Sequence, residues 1–93
     1  MPYSLLVDQR VYRWLRKAKL PSKHYRQIVL RIFELGVAPR PQDCIVLKGG
    51  YRVTSGEYRI YYEVDSDART VYVLLAGHRN DDEFYRMLDR LIG

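Results

Sequence analysis

Two arginines of this 93-residue chain are spaced so that a β-sheet would bring them together. The residues Ser55-Gly56 separate two strand-like segments, and a hairpin loop of two or four residues there places Arg52 directly opposite Arg59. Like charges opposite each other in an antiparallel pair destabilise it unless an anion lies between them. Either Glu57 or Glu63 neutralises the arginines within the fold, or the two guanidinium groups form a clamp for a phosphodiester.

Other residues that commonly carry chemistry are sparse. His24, Cys44 and His78 are too scattered for a metal site, and there is no glycine-rich phosphate loop, so we expect no metal and no cofactor. The lone cysteine is typical of a reducing cytosol. No signal-peptide pattern opens the chain, and no apolar run approaches the ~18 residues of a membrane helix. We therefore expect a cytoplasmic protein without membrane contact.

The positive charge is concentrated in the first third of the chain. The net charge is +5, and residues 1–31 carry eight Lys or Arg against one acid, whereas residues 63–93 carry four against seven. A basic surface of this kind attracts a phosphate backbone or an acidic protein, with an affinity that falls as salt rises. A solvated surface with no partner has the same composition, so charge alone does not decide the function.

Hydrophobic periodicity predicts the elements that would hold these residues in place. Residues 3–7 read as a short edge strand, and Asp8 caps a first helix. Two helical stripes follow, and they form an antiparallel hairpin: Val7, Val11, Trp14, Leu15 and Ala18, then Tyr25, Ile28, Val29, Ile32 and Phe33. A C-terminal helix is capped by Asn80 or Asp81 and has its own apolar positions: Phe84, Met87, Leu88, Leu91 and Ile92.

Four strands are predicted between the helices, over residues 44–47, 51–54, 57–65 and 70–76. In the last pair Val64 faces Val71, Tyr62 faces Val73, Ile60 faces Leu75 and Arg59 faces Ala76. One sheet face is then apolar or aromatic throughout, which a slip of one residue would destroy. We predict a single α+β domain over residues 1–93 with the order βααββββα. It is an antiparallel-rich sheet with the helical hairpin packed on one face, a short C-terminal helix, and helices on one side only.

Several motifs in this order are specific in combination: Leu47-Lys48-Gly49, Tyr51-Arg52-Val53, Gly56-Glu57-Tyr58-Arg59-Ile60-Tyr61-Tyr62-Glu63-Val64, Val71-Tyr72-Val73-Leu74, Gly77-His78-Arg79 and Phe84-Tyr85-Arg86. Together they cover essentially the whole chain and resemble the RelE/ParE toxin superfamily. The resemblance implies a RelE-like mRNA interferase of a type II toxin–antitoxin system. Such an enzyme cuts mRNA without a metal in the A site of the 30S ribosomal subunit. The 2′-hydroxyl attacks the phosphorus and leaves a 2′,3′-cyclic phosphate and a 5′-hydroxyl.

The resemblance also implies roles for particular residues. Lys48 stands where a basic residue contacts RNA, and Thr54 departs from the pattern because it replaces a second active-site lysine. The positions that the resemblance makes catalytic are Arg52, Arg59, Arg79 and Tyr85.

Three further expectations concern the surroundings of this site. Tyr61 and Tyr72 lie on the arginine face, where tyrosines either stack on bases or serve as ordinary strand formers. Histidine is a common general acid or base in enzymes, so His78 is a second candidate for proton transfer and RNA contact, unless it only ends its strand. Alternation from Ala76 places Arg79 on the core face, so the site requires a bulge or a strand end near Gly77.

The resemblance leaves two alternatives to the nuclease. A ParE-type toxin has the same scaffold but inhibits DNA gyrase, and a non-enzymatic module would use the basic helices to hold RNA or a protein. The expected partners are mRNA, the ribosome and a cognate antitoxin. The antitoxin would wrap the toxin as an extended chain and displace the C-terminal helix.

Overall fold

A five-stranded sheet in the order β1-β5-β4-β3-β2 forms the centre of the protein, as seen in a computed structural model that describes residues 2–79 and 82–92. Only β1 runs parallel to its neighbour, β5, and the other neighbouring strands are antiparallel. In chain order the elements are β1 (Ser4–Val7), α1 (Gln9–Lys17), α2 (Ser22–Val37), β2 (Ile45–Leu47), β3 (Gly50–Ser55), β4 (Tyr58–Asp65), β5 (Thr70–His78) and α3 (Asp82–Ile92). The α+β class and the predicted order are confirmed. None of the described helices is long and apolar enough to cross a membrane.

Helices α1 and α2 pack on one face of the sheet. The Asp8 carboxylate caps α1 and accepts a 2.8 Å hydrogen bond from the Arg10 backbone N–H, as predicted. The helices and the sheet together bury one apolar core, whose members include Val11, Leu15, Ile28, Ile32, Leu35, Val53, Ile60, Tyr62, Val71 and Val73. Two predicted core positions are wrong. Tyr25 and Phe33 are 45% and 63% exposed, because the buried side of α2 follows Ile28, Ile32 and Leu35.

Helix α3 packs on the opposite face, so the prediction that helices lie on one side only is wrong. There Phe84 and Leu88 join Tyr61 and Leu75 in a second, smaller core. An ion pair between Lys48 and Asp89 connects α3 to the turn before β3. The predicted cap at Asn80 or Asp81 lies outside the described residues.

The pairing of β3 with β4 differs from the prediction by two residues. The turn consists of Gly56 and Glu57, and Gly56 adopts a left-handed φ of +58°. Arg52 therefore lies opposite Tyr61, and Thr54 lies opposite Arg59. A two-residue shift moves every side chain along the sheet but leaves it on its predicted face.

A β-bulge interrupts the pairing of β4 with β5. The predicted pairs Val64–Val71 and Tyr62–Val73 are present, but the register shifts between Tyr61 and Tyr62. Beyond the bulge the partners are Tyr61–Leu75, Ile60–Ala76, Arg59–Gly77 and Tyr58–His78, so the predicted pairs Ile60–Leu75 and Arg59–Ala76 are wrong. The extra residue is Leu74, and it exchanges the faces of every later residue of β5.

The segment between α2 and β2 is held against the sheet by polar contacts. The buried Tyr62 hydroxyl donates a 2.7 Å hydrogen bond to the Pro39 carbonyl oxygen, and Arg31 of α2 forms an ion pair with Asp43. Burial raises the pKa of the Tyr62 phenol, so the hydroxyl keeps its proton and acts as the donor.

We expect Gly50→Ala to destabilise the protein strongly. A Cβ at Gly50 would lie 2.5 Å from the Tyr61 hydroxyl oxygen and 2.6 Å from the Tyr62 carbonyl oxygen, and backbone cannot move aside cheaply. Overpacking of this kind costs about 2–3 kcal/mol, which corresponds to a fall in Tm of more than about 8 °C. Thermal unfolding measures it. Gly49→Asn is the control, since that position faces open space and asparagine tolerates left-handed backbone. Equal melting of the two variants would show that the close approach at Gly50 is absent.

Candidate functional site

Arg52 and Arg59 project from neighbouring strands on the face of the sheet that carries α3. They are diagonal rather than directly opposite, because Arg52 pairs with Tyr61 and Arg59 with Thr54. Thr54 is exposed on the same face, beside Arg52 in the strand and across from Arg59. The sequence predicted the common face of the two arginines correctly, although it misplaced them along the sheet.

Arg79 reaches the same face because of the bulge. Its backbone N–H donates a 2.7 Å hydrogen bond to the Glu57 carbonyl oxygen, which extends the β4–β5 pairing beyond the end of the strand. The break that the site required is therefore present, but it lies at Leu74 and not at Gly77. Gly77 has a different importance: it lies opposite Arg59, and a Cβ there would be 3.2 Å from the Phe84 ring. Its missing side chain lets α3 lie against the sheet beside the arginines.

The three arginines form a positively charged cluster. Burial lowers the pKa of Arg59, and the charges of Arg52 and Arg79 lower it further. Because Arg52 and Arg79 lie close to Arg59, their positive charges disfavour the charged form of the Arg59 guanidinium group. We refer to Arg52, Arg59 and Arg79 as the arginine cluster.

Within the described part of the chain, the two glutamates expected to neutralise the arginine cluster do not pair with it. The ion pairs found there are Asp8–Arg10, Arg31–Asp43 and Lys48–Asp89, so neither Glu57 nor Glu63 supplies the expected counter-charge. The Nε atoms of Arg52 and Arg59 are buried and have no hydrogen-bond acceptor. A buried donor without an acceptor costs about 1–3 kcal/mol. An incoming anion would remove that cost, which makes the cluster a candidate oxyanion site.

Tyr85 of α3 lies between two of the arginines. Its hydroxyl oxygen accepts a long, 3.4 Å hydrogen bond from Nη1 of Arg52. The guanidinium carbon of Arg59 lies 5.4 Å from the centre of the Tyr85 ring, within cation–π range. The Phe84 ring meets the Tyr85 ring edge-on with 5.2 Å between centroids. Tyr85 is thus held between the arginine cluster and Phe84, the residue of α3 that packs in the second core.

The structure does not bring three other predicted residues to the cluster. His78 precedes Arg79 and points to the opposite face, where its ring packs 5.8 Å from Trp14. Tyr61 is fully buried beneath α3, and burial raises the pKa of its hydroxyl, which donates to the Lys48 carbonyl oxygen. The expectation that Tyr61 is exposed for base stacking is therefore wrong. Lys48 lies at the rim, with its ammonium group paired to Asp89.

The described residues contain no group of three His, Cys, Asp or Glu side chains that could hold a metal ion. Guanidinium groups have no lone pair to offer a cation, so the donors of the arginine cluster suit an anion. Two residues important to this site were missed by sequence reasoning. Asp89 gave no signal because its partner is 41 residues away, and Gly77 had been assigned a different role.

Neither a protein-family model nor a curated protein matches the sequence significantly, whereas several solved structures match it. A chain of the archaeal RelE–RelB complex from Pyrococcus horikoshii OT3 has a TM-score of 0.76 and 28% identity, covering 86% of this chain and 98% of that one. A mutant of the Escherichia coli toxin RelE in the free state has a TM-score of 0.76 and 26% identity over 100% of both chains. A chain of a RelBE toxin–antitoxin complex from Mycobacterium tuberculosis has a TM-score of 0.72 and 28% identity, covering 87% of this chain and 95% of that one.

These likenesses extend over most or all of each chain, and the match to the free RelE mutant covers every strand of this chain. The motifs of the sequence, the order of the elements and the shared fold lead to one conclusion: the protein belongs to the RelE-like toxin superfamily.

Proposed function

We propose that the protein is the toxin of a type II toxin–antitoxin module and cleaves mRNA in the ribosomal A site without a metal ion. One observation carries the proposal: Arg52 and Arg59 both contact Tyr85, Arg79 lies close enough to Arg59 to lower its pKa, and neither Glu57 nor Glu63 pairs with these arginines. A structural ion-pair network would contain acids, whereas a site for a phosphodiester requires an excess of cations.

The proposed reaction uses the RNA as its own nucleophile. The 2′-hydroxyl gives its proton to solvent water and attacks the adjacent phosphorus, while the bond from phosphorus to the 5′-oxygen breaks and that oxygen takes up a proton. The products are a 2′,3′-cyclic phosphate and a 5′-hydroxyl. Negative charge accumulates on the non-bridging oxygens in the transition state, and prearranged guanidinium groups stabilise it. One such donor is typically worth about 3–4 kcal/mol, so the arginine cluster can supply a large part of the acceleration.

Proton transfer requires a different group, because arginine holds its proton too strongly to act as an acid. We assign the proton donated to the 5′-oxygen to the Tyr85 hydroxyl. Arg52 donates to the phenol oxygen, so the phenolic proton is free to point towards a leaving group. Thr54 occupies the position where the resemblance places a lysine, and its hydroxyl contributes no charge there. The arginines and Tyr85 therefore carry more of the chemistry in this chain.

Arg59→Ala and Arg79→Ala should each slow mRNA cleavage by about a hundredfold to a thousandfold, the usual effect of removing one oxyanion donor. The measurement is translation of a defined mRNA in a reconstituted ribosomal system, with primer extension to map the breaks. Arg26→Ala is the matched control, because it removes one exposed arginine from α2 on the other side of the sheet. Discrete breaks in the A-site codon should survive only in the wild type and the control.

Other outcomes of that assay, combined with measurements of DNA supercoiling and RNA binding, would contradict the proposal that the protein is a nuclease. Intact mRNA with the wild-type protein, together with inhibited DNA supercoiling, would indicate a gyrase inhibitor. Intact mRNA and unchanged supercoiling, together with RNA binding that weakens with salt, would indicate a binding module. None of the structural matches described above favours either alternative.

Tyr85→Phe should lower the single-turnover cleavage rate by about a hundredfold or more, the usual contribution of a general acid. The change removes only the hydroxyl and keeps the ring against Arg59 and Phe84, so we expect ribosome binding and Tm to stay unchanged. Rates measured at saturating toxin separate the chemical step from binding. Wild-type rates in Tyr85→Phe would mean that the ring only packs and that another group donates the proton.

We further propose an antitoxin protein as the partner. Two of the matched structures are toxin–antitoxin complexes. On this chain, a groove of about 280 Å³ between α1, α2 and β1 is lined by apolar side chains, among them the exposed Tyr12, Tyr25 and Phe33. Lys19 and Arg26 lie beside it and would attract an acidic chain. An exposed apolar groove with basic edges is suited to an acidic amphipathic segment.

The antitoxin would inactivate the toxin if it displaced α3, because Tyr85 would leave the arginine cluster. Deleting residues 81–93 imitates that displacement, and we expect cleavage to fall at least as far as in Tyr85→Phe. Circular dichroism checks that the sheet remains folded. Unaffected cleavage by the truncated toxin would contradict this route of inhibition.

A further inference from the structure

Four aromatic side chains meet on the helix face of the sheet, directly behind the arginine cluster. Tyr58 lies at the centre and is 5% exposed. His24 Nδ1 and the Tyr58 hydroxyl oxygen share a 2.7 Å hydrogen bond, and the His78 ring lies 5.1 Å from the Tyr58 ring. Trp14 packs edge-on against both, with 5.8 Å between centroids in each case. We refer to Trp14, His24, Tyr58 and His78 as the aromatic cluster.

The aromatic cluster and the arginine cluster are connected through the backbone. Tyr58 and His78 are a paired rung of β4 and β5, and each immediately precedes an arginine, Arg59 or Arg79. Successive side chains of a strand point to opposite faces, so a residue held on one face fixes the direction of the next on the other. The two histidines of the chain both lie in this cluster.

This end of the sheet needs such an anchor. Strand β1 pairs with Thr70–Val73, so among the described strands β4 alone lies beside the last residues of β5. Ends of strands open more readily than their centres. The charges that converge on the opposite face also repel one another, and neither Glu57 nor Glu63 pairs with them.

We propose that the aromatic cluster positions Arg59 and Arg79, with the His24–Tyr58 hydrogen bond tying α2 to the strand ends that carry the two arginines. Trp14 ties α1 to the same strand ends, because its ring packs on Tyr58 and His78. These residues do not touch the RNA; they act through the arginines. The kinetic part of the test rests on the proposed nuclease function, whereas the spectroscopic part does not.

Two tyrosines of β4 allow a matched test. Tyr58→Phe and Tyr62→Phe each remove one hydroxyl that makes a 2.7 Å hydrogen bond, from buried rings on the same face of the same strand. Tyr58 immediately precedes Arg59 and pairs with His78, which precedes Arg79, whereas Tyr62 pairs with Tyr51 and lies farther along the strand from both arginines. A purely structural role predicts that both variants lose stability and neither loses activity, once both are assayed well below their Tm.

Positioning predicts a difference between the two variants. Misplacement of a catalytic group by about 1 Å costs up to a hundredfold in rate. We therefore expect Tyr58→Phe to lower the saturating single-turnover rate at least about tenfold, with little change in the half-saturating toxin concentration. Tyr62→Phe should cleave as the wild type does. His24→Asn, which places a polar atom where Nδ1 lies, should recover most of the rate lost in His24→Ala.

The side-chain Nε–H signals of Arg59 and Arg79, followed by NMR relaxation in the free protein, provide a readout independent of cleavage. They should become more mobile in Tyr58→Phe and in His24→Ala, and stay as in the wild type in Tyr62→Phe. Unchanged relaxation in Tyr58→Phe would overturn the proposal, as would equal rates in the two tyrosine variants. If the wild type cleaves no RNA but the relaxation changes as expected, the nuclease fails and the positioning role stands.

Discussion

Side-chain alternation along β5 determines what each face of the sheet carries, and one extra residue changes it. Before the bulge at Leu74, Val71 and Val73 point into the core beneath α1 and α2. After it, Leu75 faces α3, and the backbone beyond Gly77 directs Arg79 to the same side. Without the bulge, the second core would lose Leu75 and Arg79 would be directed towards the apolar core. The attachment of α3 and the assembly of the arginine cluster thus have a single geometric cause.

Much of the fold could be predicted from the sequence, because a register shift of two residues does not change which face of the sheet a side chain is on. Placing the β3–β4 turn at Ser55-Gly56 instead of Gly56-Glu57 shifted the register by two residues and left Arg52 and Arg59 on the correct face. The direction of Arg79 indicated that alternation must break before it, but the break could not be located, because Leu74 and Leu75 are both apolar and either could face the core. The burial of Tyr61 was missed for a related reason. Helical periodicity shows that α3 has an apolar side but not which face of the sheet that side covers.

The arginine cluster lowers the stability of the fold. Its unpaired Nε atoms and mutual repulsion are unfavourable in the free protein, and a substitution to apolar residues would relieve both. Rigid strands, a paired rung and a helix that carries Tyr85 keep the guanidinium groups together despite this. Unpaired buried polar groups and neighbouring like charges, stabilised by the rest of the fold, are typical of functional sites. Arg31 also has a buried Nε without an acceptor, but its charge is paired: it holds the pKa of the Asp43 carboxyl low.

The position of the site residues along the chain has a consequence for biosynthesis. Strand β1 begins at residue 4, but its parallel partner is Thr70–Val73. The first strand therefore cannot pair until the ribosome has synthesised β5. Arg79 and Tyr85 follow later still. Long-range parallel pairing is slow to form because the intervening chain must first be ordered. A growing chain therefore carries its basic helices and an unpaired first strand until β5 has been made, and the complete site of the arginine cluster and Tyr85 forms only after α3 has followed.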